Sequence, residues 1–178
     1  SASCFRESAA WPSLSYCQWI PAYDKNRRYK KLLREVSMAI KILFVCVGNT
    51  CRSQMAEGFA KYHGKGKVEV RSAGTSAAGS VNRSTIEAMK EVGIDISGQT
   101  SDQLTNEMLG WADVVVTMGC CTADKFCPVD FKGRAYDWKI EDPLGRPWAV
   151  MQRVRDDIEK RVRELIVAEG SAVQDTCC

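Results

Sequence analysis

Ile42-Leu43-Phe44-Val45-Cys46-Val47-Gly48-Asn49-Thr50-Cys51-Arg52-Ser53-Gln54-Met55-Ala56-Glu57 is the stretch on which the reading of this chain turns. Ile42 to Val45 is a short apolar run of β-branched and aromatic residues, the pattern of a buried strand. It ends at a cysteine. A five-residue turn follows (Val47, Gly48, Asn49, Thr50, Cys51), closed by Arg52, and a helical pattern begins at Ser53. Strand, tight loop and helix N-terminus together make an oxyanion site. Backbone N–H groups and the positive end of the helix dipole point at the loop, and Gly48 is expected to let the backbone close in.

A thiol at the mouth of such a loop is activated. The helix dipole and Arg52 both favour its anion, and Ser53 is placed to donate a hydrogen bond to it. Cys46 is therefore the expected nucleophile, with the oxyanion held by Arg52 and the amides of Val47, Gly48, Asn49, Thr50 and Cys51. The competing reading, a buried cysteine at a strand end, leaves Arg52 without a role.

The run Phe44-Val45-Cys46-Val47-Gly48-Asn49-Thr50-Cys51-Arg52-Ser53-Gln54-Met55-Ala56-Glu57-Gly58 resembles the signature of the low-molecular-weight protein tyrosine phosphatase superfamily. Within it, Gln54 to Gly58 is more similar to the thiol-dependent arsenate reductases than to the phosphatases. The resemblance runs from about Ala39 to Ile166, and the residues outside that span have no counterpart in the family.

At 178 residues, 45% hydrophobic and 26% charged, the chain has the composition of one soluble domain with a real core. No apolar run approaches the ~20 residues of a membrane span. Residues 1–37 hold seven Lys/Arg against three Asp/Glu, a net of +4, while 38–178 hold eighteen against nineteen, a net of −1. The basicity thus belongs to the extension, and no nucleic-acid face is expected. Nine cysteines could suggest a disulfide scaffold, but three sit at motif positions and four in the two end segments. With no hydrophobic signal core, a reducing cytoplasm is the expected compartment and a monomer the expected state.

Residues 1–37 lack periodicity and end in a basic run; they read as an extension, whether a leader, a targeting segment or a regulatory arm. The catalytic α/β domain is expected over 38–169 and a flexible, cysteine-containing tail over 170–178. After the loop, Met55, Phe59 and Tyr62 keep helical spacing to Gly64. His63, the single histidine, reads as a solvated partner of that helix end; alone, it excludes a Cys-His triad and a multi-histidine metal site. Lys67 to Arg71 alternates as a second strand, closed by Ser72-Ala73-Gly74, which matches the family's Ser-Ala-Gly turn. A helix is expected from Ser84 to Val92. Where relatives carry Asn-Pro before it, this chain has Asn82-Arg83, so a looser start is expected. Val92 to Asp102 again resembles the arsenate reductases. The resemblance places Asn49, Glu57, Ser72 and Asp102 around a potassium ion, all oxygen donors suited to a hard cation; the alternative is hydrogen bonds that brace the loop. Ala112 to Thr117 reads as the third strand.

That strand runs into Met118-Gly119-Cys120-Cys121-Thr122-Ala123-Asp124-Lys125-Phe126-Cys127-Pro128. Ligands bind at strand ends in open parallel sheets, so these thiols are expected to face the Cys46 loop. The resemblance assigns Cys120 and Cys127 as second and third redox cysteines, with Cys121 an alternative resolver. Seven residues of helix span about 10 Å, whereas a disulfide needs Cα atoms within about 7 Å, so a helical segment would have to unwind to join them. A structural zinc site would need a fourth ligand, such as Cys177 or Cys178. Glu141-Asp142-Pro143 follows a short last strand, and the superfamily's general acid sits in an Asp-Pro pair of this kind, which makes Asp142 the counterpart and Glu141 the alternative. Trp148, Met151, Val154, Ile158, Val162 and Leu165 trace the closing helix.

Strand–helix alternation points to an α/β domain. The resemblance supplies three layers, with a four-stranded, mainly parallel sheet between helices. It implies reduction of arsenate, a phosphate-like oxyanion, through Cys46, Cys120 and Cys127, with thioredoxin or glutaredoxin as reductant and no required cofactor beyond the potassium just named. Two rivals remain: a tyrosine phosphatase using Cys46, Arg52 and Asp142, and a non-catalytic metalloid- or zinc-binding thiol protein. Leu144 stands where those phosphatases commonly place an aromatic residue.

Overall fold

Strand β1, Ile40–Cys46, lies at the centre of a four-stranded sheet with the order β2-β1-β3-β4. The computed structural model describes residues 39–119 and 131–172. The readings made on residues 1–37, on Cys120, Cys121 and Cys127, and on Cys177 and Cys178 lie outside these described residues. β2 (Val68–Gly74), β3 (Val114–Thr117) and β4 (Arg134–Asp137) all run parallel to their neighbours. From β1 the chain moves to β2 on one side and then crosses to β3 on the other. The loops after β1 and β3 therefore part at the switch point of the sheet, where such folds bind ligands.

Helices α1 (Arg52–His63), α2 (Arg83–Glu91) and α4 (Trp148–Ala172) cover one face, and the short α3 (Asn106–Trp111) covers the other. Period-two alternation along β1 decides the split. Ile42 and Phe44 pack with Met55, Phe59, Val154, Ile158 and Val162, while Leu43 and Val45 pack with Leu109, Ala112 and Val115. With both faces covered, the strand is apolar throughout instead of alternating. Phe44 and Phe59 are fully buried, each worth about 1.5–3 kcal/mol of transfer free energy.

Several local expectations change. β2 continues through Ser72-Ala73-Gly74, because its register with β1 carries on to the pair Cys46–Gly74. Gly74 then exchanges backbone hydrogen bonds with the next segment, donating to Asp102 O (2.8 Å) and accepting from Leu104 N (2.8 Å). The α2 start is capped without proline: Asn82 Oδ1 accepts from Ser84 N (2.9 Å) and Ser84 Oγ (2.6 Å). α4 runs past Gly170 to Ala172. Near its end the buried Glu169 accepts from Tyr136 of β4 (2.9 Å) and pairs with Arg134. His63 is half-buried rather than solvated, with Nε2 2.8 Å from Glu159 on α4 and its ring stacked on Phe59. No helix among the described residues is long and apolar enough to cross a membrane.

Gly74 is the tightest point between sheet and loop, since a Cβ there would lie 2.5 Å from Val47 O and 3.0 Å from the Asn49 backbone. Gly74→Ala is expected to cost about 1–3 kcal/mol in urea unfolding and to weaken inorganic phosphate binding at the same time. Unchanged stability would show that the loop has room to move.

Candidate active site

The loop after β1 is held by its carbonyls. Cys46 O accepts from Thr75 N (3.0 Å), Val47 O from Ser76 N (2.9 Å), Gly48 O from Ala78 N (3.0 Å) and Thr50 O from Asn82 N (3.0 Å). Asn49 O accepts from the Gln54 side chain (3.0 Å) and Cys51 O from Met55 N (2.9 Å). With every carbonyl from 46 to 51 turned outward to a donor, the N–H groups turn inward. Those of Gly48, Thr50, Cys51 and Arg52 have no acceptor among the described residues. Donors converging on one space, at the start of a twelve-residue helix with no acidic residue in its first turn, make an anion cradle.

Cys46 lies at the base of that space, 3% exposed and free. Its sulfur accepts from Asn49 N (3.2 Å) and lies 3.0 Å from Ser53 Oγ. Asn49 orients the hydroxyl. Its Oδ1 accepts from the backbone N–H of Asp102 (2.8 Å), which fixes the amide so that Nδ2 donates to Ser53 Oγ (2.9 Å) and Ser72 Oγ (2.8 Å). With that amide donating to its oxygen, Ser53 Oγ has its own proton free to point at the sulfur. Asn49 also takes the left-handed backbone conformation of the turn, at φ 49°. That differs from the expectation for Gly48, where a Cβ would meet nothing closer than Thr50 at 3.6 Å. Asparagine tolerates this region better than most residues.

Arg52, at the start of α1, is nearly buried and joins that helix to the segments that follow β3 and β4. Its NH1 donates to Met118 O (2.8 Å) and Ile140 O (3.2 Å), and its NH2 pairs with Asp142 Oδ2 (2.7 Å). The two carbonyls come close because Gly119, at φ 76°, packs against Ile140. Asp142 is half exposed, open to protons from solvent. Its other oxygen accepts from Leu144 N (3.1 Å), and Glu141 turns away to Arg153 (2.7 Å). Asp142, not Glu141, therefore faces the loop.

The oxygens of Asn49, Glu57, Ser72 and Asp102 do share one network, but each already has a donor. Asn49 Oδ1 accepts from Asp102 N and from Gln54 Nε2 (3.0 Å), Ser72 Oγ donates to Glu57 Oε2 (2.5 Å), Lys61 pairs with Glu57 Oε1, and Asp102 Oδ2 accepts from Thr100 Oγ1 (2.8 Å). In this arrangement the four brace the loop by hydrogen bonds, the alternative to a potassium site. No group of three or more His, Cys, Asp or Glu among the described residues could hold a metal ion. Sequence reading missed residues 75–82 as the outer clamp of the loop, because backbone-to-backbone bonds leave no signature in side chains.

Cys51, the second thiol of the loop, is inert by environment. It is buried beside Thr85, 3.8 Å from Met151 Sδ, and burial pushes its thiol up from 9.0 to about 12. Its neutral form therefore stabilises the fold fully below pH 9, and that contribution is lost as pH rises from 9 toward 12. The stability difference between wild type and Cys51→Ala is expected to shrink over that range, and peptide mapping after iodoacetamide treatment at pH 8 should find Cys46 labelled and Cys51 not. Labelling of Cys51 at the rate of Cys46 would contradict this assignment.

The same sheet and loop recur in known proteins. Arsenate reductase 1 of Staphylococcus epidermidis is 50% identical over 122 residues, 68% of this chain and 91% of that protein. A solved arsenate reductase in the phosphate binding state superposes with a TM-score of 0.65 at 43% identity, covering 72% of this chain and 98% of the other. The YwlE arginine phosphatase from Geobacillus stearothermophilus superposes at 0.67 with 32% identity, covering 76% and 96%. The model of the low molecular weight phosphotyrosine protein phosphatase family matches residues 41–175, and with the loop, sheet and acid arranged as above, the chain belongs to that family.

Proposed function

We propose that the protein is an arsenate reductase that serves arsenic detoxification. The observation that carries this reading is the Cys46 sulfur beneath inward-facing amides, with Arg52 and Asp142 beside it. Relatives about 50% identical bear the name arsenate reductase. Arsenate enters the cradle and takes Arg52 NH2 from Asp142. The Cys46 thiolate attacks arsenic, and the departing oxygen leaves as water on taking the Asp142 proton. The anion thus meets electrostatic stabilisation from groups already in place.

The remaining steps are a thiol relay. The Cys120 thiolate attacks Cys46 sulfur; the S–As bond breaks, its electron pair stays on arsenic, and As(V) leaves as As(III) arsenite. The two thiols thus give up two electrons to arsenic and are left joined as one Cys46–Cys120 disulfide. Cys127 then attacks Cys120, freeing Cys46 and leaving a Cys120–Cys127 disulfide, which thioredoxin or glutaredoxin reduces by exchange. Support comes from Met118, two residues ahead of Cys120 in the chain, whose carbonyl touches Arg52. The proposed setting is the reducing cytoplasm and the proposed unit a monomer. No step is routed through potassium.

Cys46, Arg52 and Asp142 also equip the site for phosphate ester cleavage, and the arginine phosphatase among the structural neighbours favours keeping that as a second reading. Turnover separates them. Cys120→Ser and Cys127→Ser are expected to abolish thioredoxin-coupled arsenate reduction and leave aryl phosphate hydrolysis intact; arsenate turnover by both variants would refute the relay. Asp142→Asn is expected to slow reduction by roughly 10²–10⁴-fold. It should also tighten phosphate binding by about two- to fivefold, since a half-exposed carboxylate no longer competes for Arg52. Unchanged phosphate affinity would mean that Asp142 and the anion do not share Arg52.

A further inference from the structure

Gln54 has no part in the reaction set out above, yet it is fully buried in the first turn of α1. Its Nε2 faces three oxygens: Asn49 O (3.0 Å), Asn49 Oδ1 (3.0 Å) and Thr100 O (2.7 Å). Two of these are backbone carbonyls, which can only accept, so the amide orientation is unambiguous. Its other end is unusual. Gln54 Oε1 is buried with no hydrogen-bond partner among the described residues, an arrangement that costs stability. A methionine would fill similar space without an orphaned oxygen, so packing alone does not account for the amide.

Its directional effect falls on one residue. Asn49 holds the left-handed conformation of the loop, and both of its oxygens are gripped by the same NH2 group. That conformation aims Asn49 N–H at the Cys46 sulfur. Thr100 anchors the grip from outside, in a segment that also meets the loop through Ser101 Oγ on Gly48 O (3.1 Å) and Asp102 N on Asn49 Oδ1. We propose that Gln54 is a positioning residue that locks Asn49 in its left-handed conformation, keeping the loop amides on the anion and the Asn49 N–H on the thiolate. The inference rests on the reading of residues 46–52 as an anion loop.

Inorganic phosphate is the probe, with binding followed by calorimetry and folding by thermal melting, on wild type, Gln54→Met, Asn49→Gly and the double variant. Gln54→Met removes the orphaned oxygen but also the donor to the Asn49 and Thr100 carbonyls, so it is expected to fold with a lowered melting temperature and to bind phosphate roughly tenfold more weakly, the scale of one net hydrogen bond. Glycine adopts left-handed backbone without help, so in the Asn49→Gly background the same change should alter affinity by less than about twofold. Should the methionine variant not fold, Gln54→Glu, which turns a carboxylate toward three oxygens, gives the same comparison and the same expected loss. Wild-type affinity in the Gln54 variants, or an equal tenfold loss in the Asn49→Gly background, overturns the proposal. A wild-type protein that does not bind phosphate overturns the anion loop itself, which separates that failure from this one.

Discussion

Six consecutive carbonyls, from Cys46 to Cys51, are pulled outward by donors at Thr75, Ser76, Ala78, Asn82, Gln54 and Met55. A peptide unit has its N–H opposite its C=O, so tethering one side of the loop aims the other side inward. That constraint produces the anion cradle, and it depends on parts distant in the chain. β2 must run beside β1 as far as Gly74, and Gly74 must lack a side chain, for residues 75–82 to reach the loop. A catalytic cysteine alone would be one more buried thiol, as Cys51 shows five residues later. The two differ in surroundings: Cys46 faces N–H and hydroxyl donors, whereas Cys51 sits among apolar atoms where burial disfavours its anion.

Arg52 links this cradle to the rest of the site. One nitrogen is committed to the carbonyls of Met118 and Ile140, which fixes the guanidinium between the ends of two segments that follow β3 and β4. The other nitrogen pairs with Asp142. In the proposed reaction an incoming oxyanion and Asp142 contend for the same group, so that filling the cradle would free the carboxylate to act as the acid. On that proposal, binding and acid catalysis are linked through one side chain, with Asp142 half exposed to solvent.

Much of the fold was legible because its signals are local. Ile42 to Val45 could be read as a strand from its apolar run, and α1 and α4 from helical spacing. Asp142 was legible through its resemblance to an Asp-Pro pair. Other features resisted for definite reasons. The end of β2 was misplaced because pairing with β1, not the Ser-Ala-Gly composition, decides how far that strand goes. α3 went unread because six residues capped by Thr105 leave too short a pattern. Asn49, Glu57, Ser72 and Asp102 do come together, but the hydrogen bonds they make with one another and with Lys61 depend on rotamers that no sequence pattern displays.

By itself, then, the sequence determined the chemistry available: a thiol, an arginine and a short turn between strand and helix, since these are contiguous and their roles follow from residue type. Tertiary structure alone decided how that chemistry is aimed. Asn49 rather than Gly48 takes the left-handed turn, Gln54 grips it, Asp142 rather than Glu141 meets Arg52, and backbone from another segment turns the amides inward. Each of these is a hydrogen-bond direction between groups far apart in the chain, fixed only once the sheet has brought them within about 3 Å.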